Sequence, residues 1–106
     1  MRLITCLMGL TTLSAQAVCQ PAFDRTKIAA VWSLQCHRDY LASSEEAQKL
    51  AILKITLSQL CDCISVQTTS MMGEDDIRQM SGGIVTRPAE IAYSSSRTVC
   101  MAALAP

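Results

Sequence analysis

Apolar side chains recur at steps of three and four along most of the chain, the spacing that places them on one face of a helix. The longest such run lies in the middle and contains Leu50, Leu53, Leu57, Leu60, Ile64 and Met71. Ser43 precedes Glu46 by three residues, which is the spacing of a capping box at a helix start. Because Gly73 is well suited to a helix end, the pattern predicts one long central helix over residues 44–72.

A second helix is predicted before the central one. Ile28, Trp32, Cys36 and Tyr40 repeat every four residues, which indicates a helix over residues 25–41, with Asp24 as its N-cap. We expect the only tryptophan, Trp32, to pack against the central helix, because a lone tryptophan usually supplies the largest piece of buried surface in a small domain.

Two more helices are predicted after the central one. Glu74, Asp75 and Asp76 suit the first turn of a short helix over residues 74–80, where acidic side chains complement the helix dipole. Pro88 suits the first turn of a last helix, with Thr86 as its cap. The thin apolar face of that helix consists of Ile91, Ala92, Ser95, Val99, Cys100, Ala103 and Leu104. The sequence therefore predicts an all-α domain of three main helices and a short one.

The central helix carries two cysteines, Cys61 and Cys63, with one residue between them. Helical residues two apart point roughly 200° away from each other, so these thiols cannot easily bond to each other or share a metal ion. They can instead reach partners on opposite sides of the helix. Cys36 upstream and Cys100 downstream are available, so all four are disulfide candidates. The spacing does not choose among the three pairings that four cysteines allow.

The first 17 residues have the pattern of a secretory signal peptide. Arg2 supplies a positive charge, residues 3–13 form a short apolar run, and residues 15–17 (Ala-Gln-Ala) fit the small-x-small cleavage pattern. The apolar run is shorter than the about 20 residues that a membrane-spanning helix needs. We therefore expect cleavage after Ala17, a single helical domain over residues 18–106, and a periplasmic or secreted location.

An exported domain of this size has a small core and usually gains stability from structural disulfides, which persist in an oxidising compartment. Cleavage would remove Cys6 and leave five of the six cysteines, an odd number. We expect Cys19 to be the odd one, because it lies near the new terminus. Cys19 would then be free, lipidated, or in a disulfide that joins two chains, although Val18 departs from the small residue that precedes a lipidated cysteine.

The charge of the chain excludes two classes of partner. The formal net charge is zero, and removal of Arg2 would leave one excess acidic residue. Nucleic acids and anionic membranes call for a clustered basic excess, which is lacking. No later apolar run reaches the length of a transmembrane helix, so we expect neither nucleic-acid binding nor an integral membrane protein.

The sequence contains no convincing catalytic set. His37, the only histidine, adjoins Cys36, but adjacent helical residues diverge by about 100°, and a disulfide-bonded cysteine is not a nucleophile. The acidic residues 74–76 lack the spacing of a calcium-binding loop. We therefore expect no catalytic residue, no cofactor and no metal ligand.

Two chemical alternatives remain open. The first is thiol–disulfide exchange at Cys61 and Cys63, although redox motifs usually have two residues between the cysteines, and Asp62 would raise the pKa of a neighbouring thiol. The second is Cu(I) binding by cysteines and methionines. Copper binding is disfavoured because methionine more commonly fills gaps in helical cores.

The order Cys36 … Cys61-Asp62-Cys63 … Cys100 after a signal peptide resembles a loose set of small exported bacterial helical proteins of unassigned function. Those proteins carry Cys-x-Cys on a central helix and a cysteine near each end. The resemblance implies an architecture but no activity. By elimination, the sequence predicts a non-enzymatic binding or accessory protein with an unknown protein partner in the cell envelope or outside the cell. An inhibitor or immunity-type role would fit its size.

Overall fold

The computed structural model describes residues 25–106. This part of the chain is 83% helical and contains no β-strand, which confirms the predicted all-α fold. Its five helices are α1 (Arg25–Leu41), α2 (Ser44–Leu53), α3 (Leu57–Met71), α4 (Glu74–Ser81) and α5 (Arg87–Leu104). The predicted signal peptide, the N-cap Asp24 and Cys19 all lie outside the described residues.

Helix α3 is the centre of the fold, because α1 and α5 both pack along it, while α2 and α4 contact α1. One core cluster surrounds the disulfides and contains Cys36, Tyr40, Leu50, Ile55, Leu60, Cys61, Ile64 and Cys100. A second cluster contains Ile28, Trp32, Met72, Ile77 and Ala89. Trp32 is buried there, and its indole N–H donates a hydrogen bond to the sulfur of Met72 at 3.1 Å, just beyond the end of α3.

The prediction of one long helix over residues 44–72 is wrong, because the chain bends by 102° between α2 and α3. Lys54 adopts the left-handed conformation with φ of 59°, and its backbone N–H bonds to carbonyl oxygens at the end of α2. Thr56 then caps α3 and forms a capping box with Gln59. A straight helix over this range would be about 43 Å long. The bend instead returns α2 to the side of α1.

The remaining helices begin and end close to the predicted positions. Helix α1 has the predicted bounds, α4 ends one residue later than predicted, and Thr86 caps α5 through the backbone N–H of Ala89. Gly73 directly follows the C-cap Met72, as expected, but its backbone is extended and not left-handed. Met72 caps α3 in an extended conformation, and Gly73 is already the N-cap of α4.

The face that α5 buries differs in part from the predicted one. Ile91 and Val99 are 55% and 49% exposed. The buried residues of α5 are small: Ala89, Ala92, Ser96 and Cys100. Small side chains allow two helices to approach closely, so the contact with α3 follows residue size as well as hydrophobicity.

Within residues 25–106, no single helix is long and apolar enough to cross a membrane. In the same part of the chain, α2 and α3 have the length and apolar composition of a membrane span only when they are taken together across their 102° bend.

Lys54 provides a test of the bend. A residue with a Cβ atom is strained by about 1–2 kcal/mol in the left-handed conformation, whereas glycine adopts it readily. We expect Lys54→Gly to raise the free energy of unfolding by about 0.5–1 kcal/mol, because the removed strain exceeds the added entropy of the unfolded chain.

Urea denaturation followed by circular dichroism measures this change. The matched control is Lys49→Gly inside α2, which should lower the free energy of unfolding by about 1 kcal/mol. Destabilisation by both glycines would mean that α2 continues through residue 54.

Candidate functional site

Two disulfides connect α3 to two different neighbouring helices. Cys61 bonds to Cys36 of α1 with their Cα atoms 5.5 Å apart, and Cys63 bonds to Cys100 of α5 with their Cα atoms 5.9 Å apart. The two cysteines of α3 thus bond to different helices, as their divergence predicted, and the structure decides the pairing that the spacing left open. The side chains of Cys36, Cys61 and Cys100 are fully buried, and Cys63 is partly buried.

This arrangement is that of a structural framework. Cys61 and Cys63 belong to different disulfides, and the buried Cys36–Cys61 bond cannot meet an attacking thiolate unless the core opens. Among residues 25–106, no group of three or more histidine, cysteine or acidic side chains is placed to hold a metal ion. His37 contacts neither disulfide through a hydrogen bond; its Nδ1 lies 2.8 Å from the carbonyl oxygen of Ser33.

A polar network joins α1 to α5 beside the disulfides. The hydroxyl of Tyr93 donates a hydrogen bond to Oδ2 of Asp39 at 2.7 Å, and the amide of Gln35 donates to Oδ1 at 2.8 Å. The ring of Tyr93 also stacks on Trp32, with ring centroids 4.9 Å apart. Burial, followed by the hydrogen bond and the negative charge of Asp39, raises the pKa of the Tyr93 hydroxyl.

Arg97 lies one helical turn after Tyr93 and is held against two tyrosine rings. Its guanidinium carbon is 5.2 Å from the ring centroid of Tyr40 and 5.8 Å from that of Tyr93. Its Nε–H donates a long hydrogen bond of 3.5 Å to the Tyr40 hydroxyl, and this bond raises the pKa of Arg97. No carboxylate in the described part of the chain forms an ion pair with Arg97.

Arg97 opens onto a groove of about 560 Å³ that is open to solvent along one side. One wall is a stripe on α5 with steps of three and four residues: Ser94, Arg97, Thr98, Met101, Ala102 and Ala105. Glu46 and Lys49 of α2 form the other wall, and their side chains pair at 3.5 Å. Tyr40 also lines the groove. We call this surface the α2–α5 groove.

Asp39, Tyr93 and Arg97 were not predicted as site residues from the sequence. Tyr93 and Arg97 are four residues apart, which places both on one face of α5. That spacing was the only feature of the sequence that could have indicated the polar network, and it does not show which residue of α1 contacts Tyr93. Asp39 and Tyr93 are 54 residues apart, so only the packing of α1 and α5 on α3 brings them together.

Residues 25–106 form a small all-α fold held by two intramolecular disulfides, with an open groove whose arginine has no ion-pair partner in this part of the chain. No family model, curated protein or solved structure matches the chain.

The two disulfides predict large effects on stability. They close loops with sequence separations of 25 and 37 residues, for which chain entropy predicts about 3–4 kcal/mol each. We expect Cys36→Ala with Cys61→Ala, and separately Cys63→Ala with Cys100→Ala, to lower the free energy of unfolding by this amount in urea denaturation. A loss below about 1 kcal/mol for either pair would contradict a stabilising role for that disulfide.

Tyr93→Phe tests the polar network. Loss of the hydrogen bond to Asp39 should lower the free energy of unfolding by about 1–2 kcal/mol at neutral pH. Because folding raises the pKa of Tyr93, the unfolded chain loses this proton first, and the wild type should lose stability as the pH rises above about 10.

Urea denaturation at a series of pH values compares the wild type with Tyr93→Phe. Since other groups titrate in both proteins, the difference between the two isolates Tyr93. That difference should shrink above about pH 10. A difference that stays constant or grows with pH would contradict the network.

Proposed function

We propose that the chain is a non-enzymatic binding or accessory protein that acts in the periplasm or outside the cell. The observation that carries this proposal is the presence of two intramolecular disulfides in or against the core. Such disulfides form and persist in oxidising compartments, and they are rare in a reducing cytosol. A core this small also depends on them for stability.

The sequence supports export independently of the structure. Residues 1–17 have the pattern of a cleavable signal peptide, and the order of Cys36, Cys61, Cys63 and Cys100 resembles that of small exported bacterial helical proteins. In the mature chain, Cys19 would be the one cysteine outside the two disulfides. It would be free, lipidated or joined to a second chain.

Binding fits the groove better than catalysis does. Its polar side chains comprise one unpaired cation, two hydroxyl groups, a tyrosine, and a lysine that is already paired with a glutamate. These groups orient and hold a partner, whereas covalent catalysis needs a nucleophile with an adjacent base. An unknown protein in the cell envelope or outside the cell is the expected partner, and an inhibitor or immunity-type role fits the size of the domain.

Thiol–disulfide exchange is the enzymatic alternative, and the test separates it from binding. The full chain is expressed with its own N-terminus in a bacterium with an oxidising periplasm. Its intact mass is then measured with and without reduction and alkylation. We expect a chain that starts at Val18, contains two disulfides, and offers at most the Cys19 thiol for alkylation before reduction.

An insulin-reduction assay with dithiothreitol completes the test. A binding protein should not accelerate insulin reduction. Alkylation of Cys61 and Cys63 without reductant, or an acceleration that disappears when both are changed to alanine, would establish thiol exchange instead. Stoichiometric copper retained under reducing conditions would favour the soft-metal alternative.

A further inference from the structure

We propose that the α2–α5 groove binds the C-terminal carboxylate of an extended peptide segment whose last side chain is apolar. This inference rests on the proposed binding function and names the class of ligand. It depends on three features of the groove: a fixed and unpaired guanidinium, an apolar surface beside it, and a length that suits several extended residues.

The guanidinium of Arg97 is held in place but not neutralised. Its carbon lies over the rings of Tyr40 and Tyr93, and within residues 25–106 only its Nε–H is engaged, in the long bond to the Tyr40 hydroxyl. The two terminal nitrogens therefore remain available to donate. Such a fork binds carboxylates in a bidentate manner, and fixing it in advance lowers the entropy lost on binding.

The neighbouring carboxylate does not occupy this fork. Asp39 is close enough for its charge to affect Arg97, but its two oxygens accept hydrogen bonds from Tyr93 and Gln35. On the opposite wall, Lys49 and Glu46 neutralise each other. The groove thus has one positive charge in excess among its lining residues, which complements a single carboxylate.

The surface next to Arg97 suits an apolar side chain. Met101 lies one turn further along the same face of α5, followed by Ala102 and Ala105. From Arg97 to Ala105 the stripe covers eight helical steps, or about 12 Å. About four extended residues have the same length, so a peptide with its carboxylate at Arg97 would run along α5 toward Ala105.

The polar groups of the groove favour a peptide over a purely aliphatic acid. The hydroxyls of Ser94 and Thr98 adjoin Arg97, and the paired side chains of α2 face them across the groove. Peptide N–H and C=O groups can form hydrogen bonds with these side chains. An alkyl chain would cover them without replacing their bonds to water, which costs free energy.

The test is a titration of the oxidised full chain, followed by ¹H–¹⁵N NMR spectroscopy. The probes are the acetylated tetrapeptide Gly-Ser-Ala-Leu with a free carboxylate, the same peptide with a C-terminal amide, and hexanoate. We expect the free peptide to shift the backbone signals of Ser94, Thr98 and Ala102. The amidated peptide should bind at least about tenfold more weakly, because it lacks the charge that Arg97 recognises.

Three results would overturn the proposal. They are equal binding of the free and amidated peptides, hexanoate binding as tight as that of the free peptide, and no shift on α5 at about 10 mM peptide, which is well above a millimolar dissociation constant. Since these titrations use the unaltered chain, they do not depend on how any variant folds.

Variants then assign the binding to Arg97. Arg97→Gln should weaken binding of the free peptide at least about tenfold. Arg97→Lys should restore only part of the lost affinity, because lysine supplies the charge without the fork-shaped donor group. The matched control is Arg38→Gln on the exposed side of α1, which should leave binding unchanged. Equal losses for Arg38→Gln and Arg97→Gln would point to a non-specific charge effect and overturn the assignment.

Failure of this inference can be distinguished from failure of the proposed function. If the mass measurement finds an exported chain with two disulfides and no titration shifts α5, the groove is not the binding surface and the broader function stands. If Cys61 and Cys63 instead alkylate without reductant, the proposed function itself is wrong.

Discussion

The fold depends on two cysteines that point in opposite directions from one helix. Because Cys61 and Cys63 diverge on α3, each can bond to only one of the flanking helices. The two bonds hold α1 and α5 against α3, and they restrict the unfolded chain in two long loops. A core with few large side chains thereby gains stability that its buried apolar area alone would not supply.

The same constraint creates the α2–α5 groove. Helices α1 and α5 both pack on α3, and long side chains bridge the space between them: Trp32 stacks on Tyr93, Tyr93 bonds to Asp39, and Arg97 contacts Tyr40. The bend at Lys54 adds α2 as the opposite wall. A continuous helix over residues 44–72 would carry Glu46 and Lys49 away from α5, so the bend is a condition for the site as well as for the core.

The disulfides and the α2–α5 groove have different roles. The buried sulfur atoms maintain the framework, and the polar network at its edge orients a cation toward solvent. Asp39 contributes indirectly, because its two carboxylate oxygens accept hydrogen bonds from Tyr93 and Gln35, and it forms no ion pair with Arg97. A site built in this way can be altered by exposed residues of α2 and α5 without any change in the core.

The sequence by itself determined the all-α class, the bounds of α1, the N-caps of α2 and α5, and the divergence of Cys61 and Cys63, because each follows from helical periodicity or from neighbouring residues. It did not reveal the bend at Lys54, because the leucine spacing continues across it and outweighs the short capping signal at Thr56. It also did not reveal the contact between Asp39 and Tyr93, or the exposure of Ile91 and Val99. The tertiary structure decided these features, since they depend on which helix faces pack on α3, and residues far apart in the chain become neighbours only through that packing.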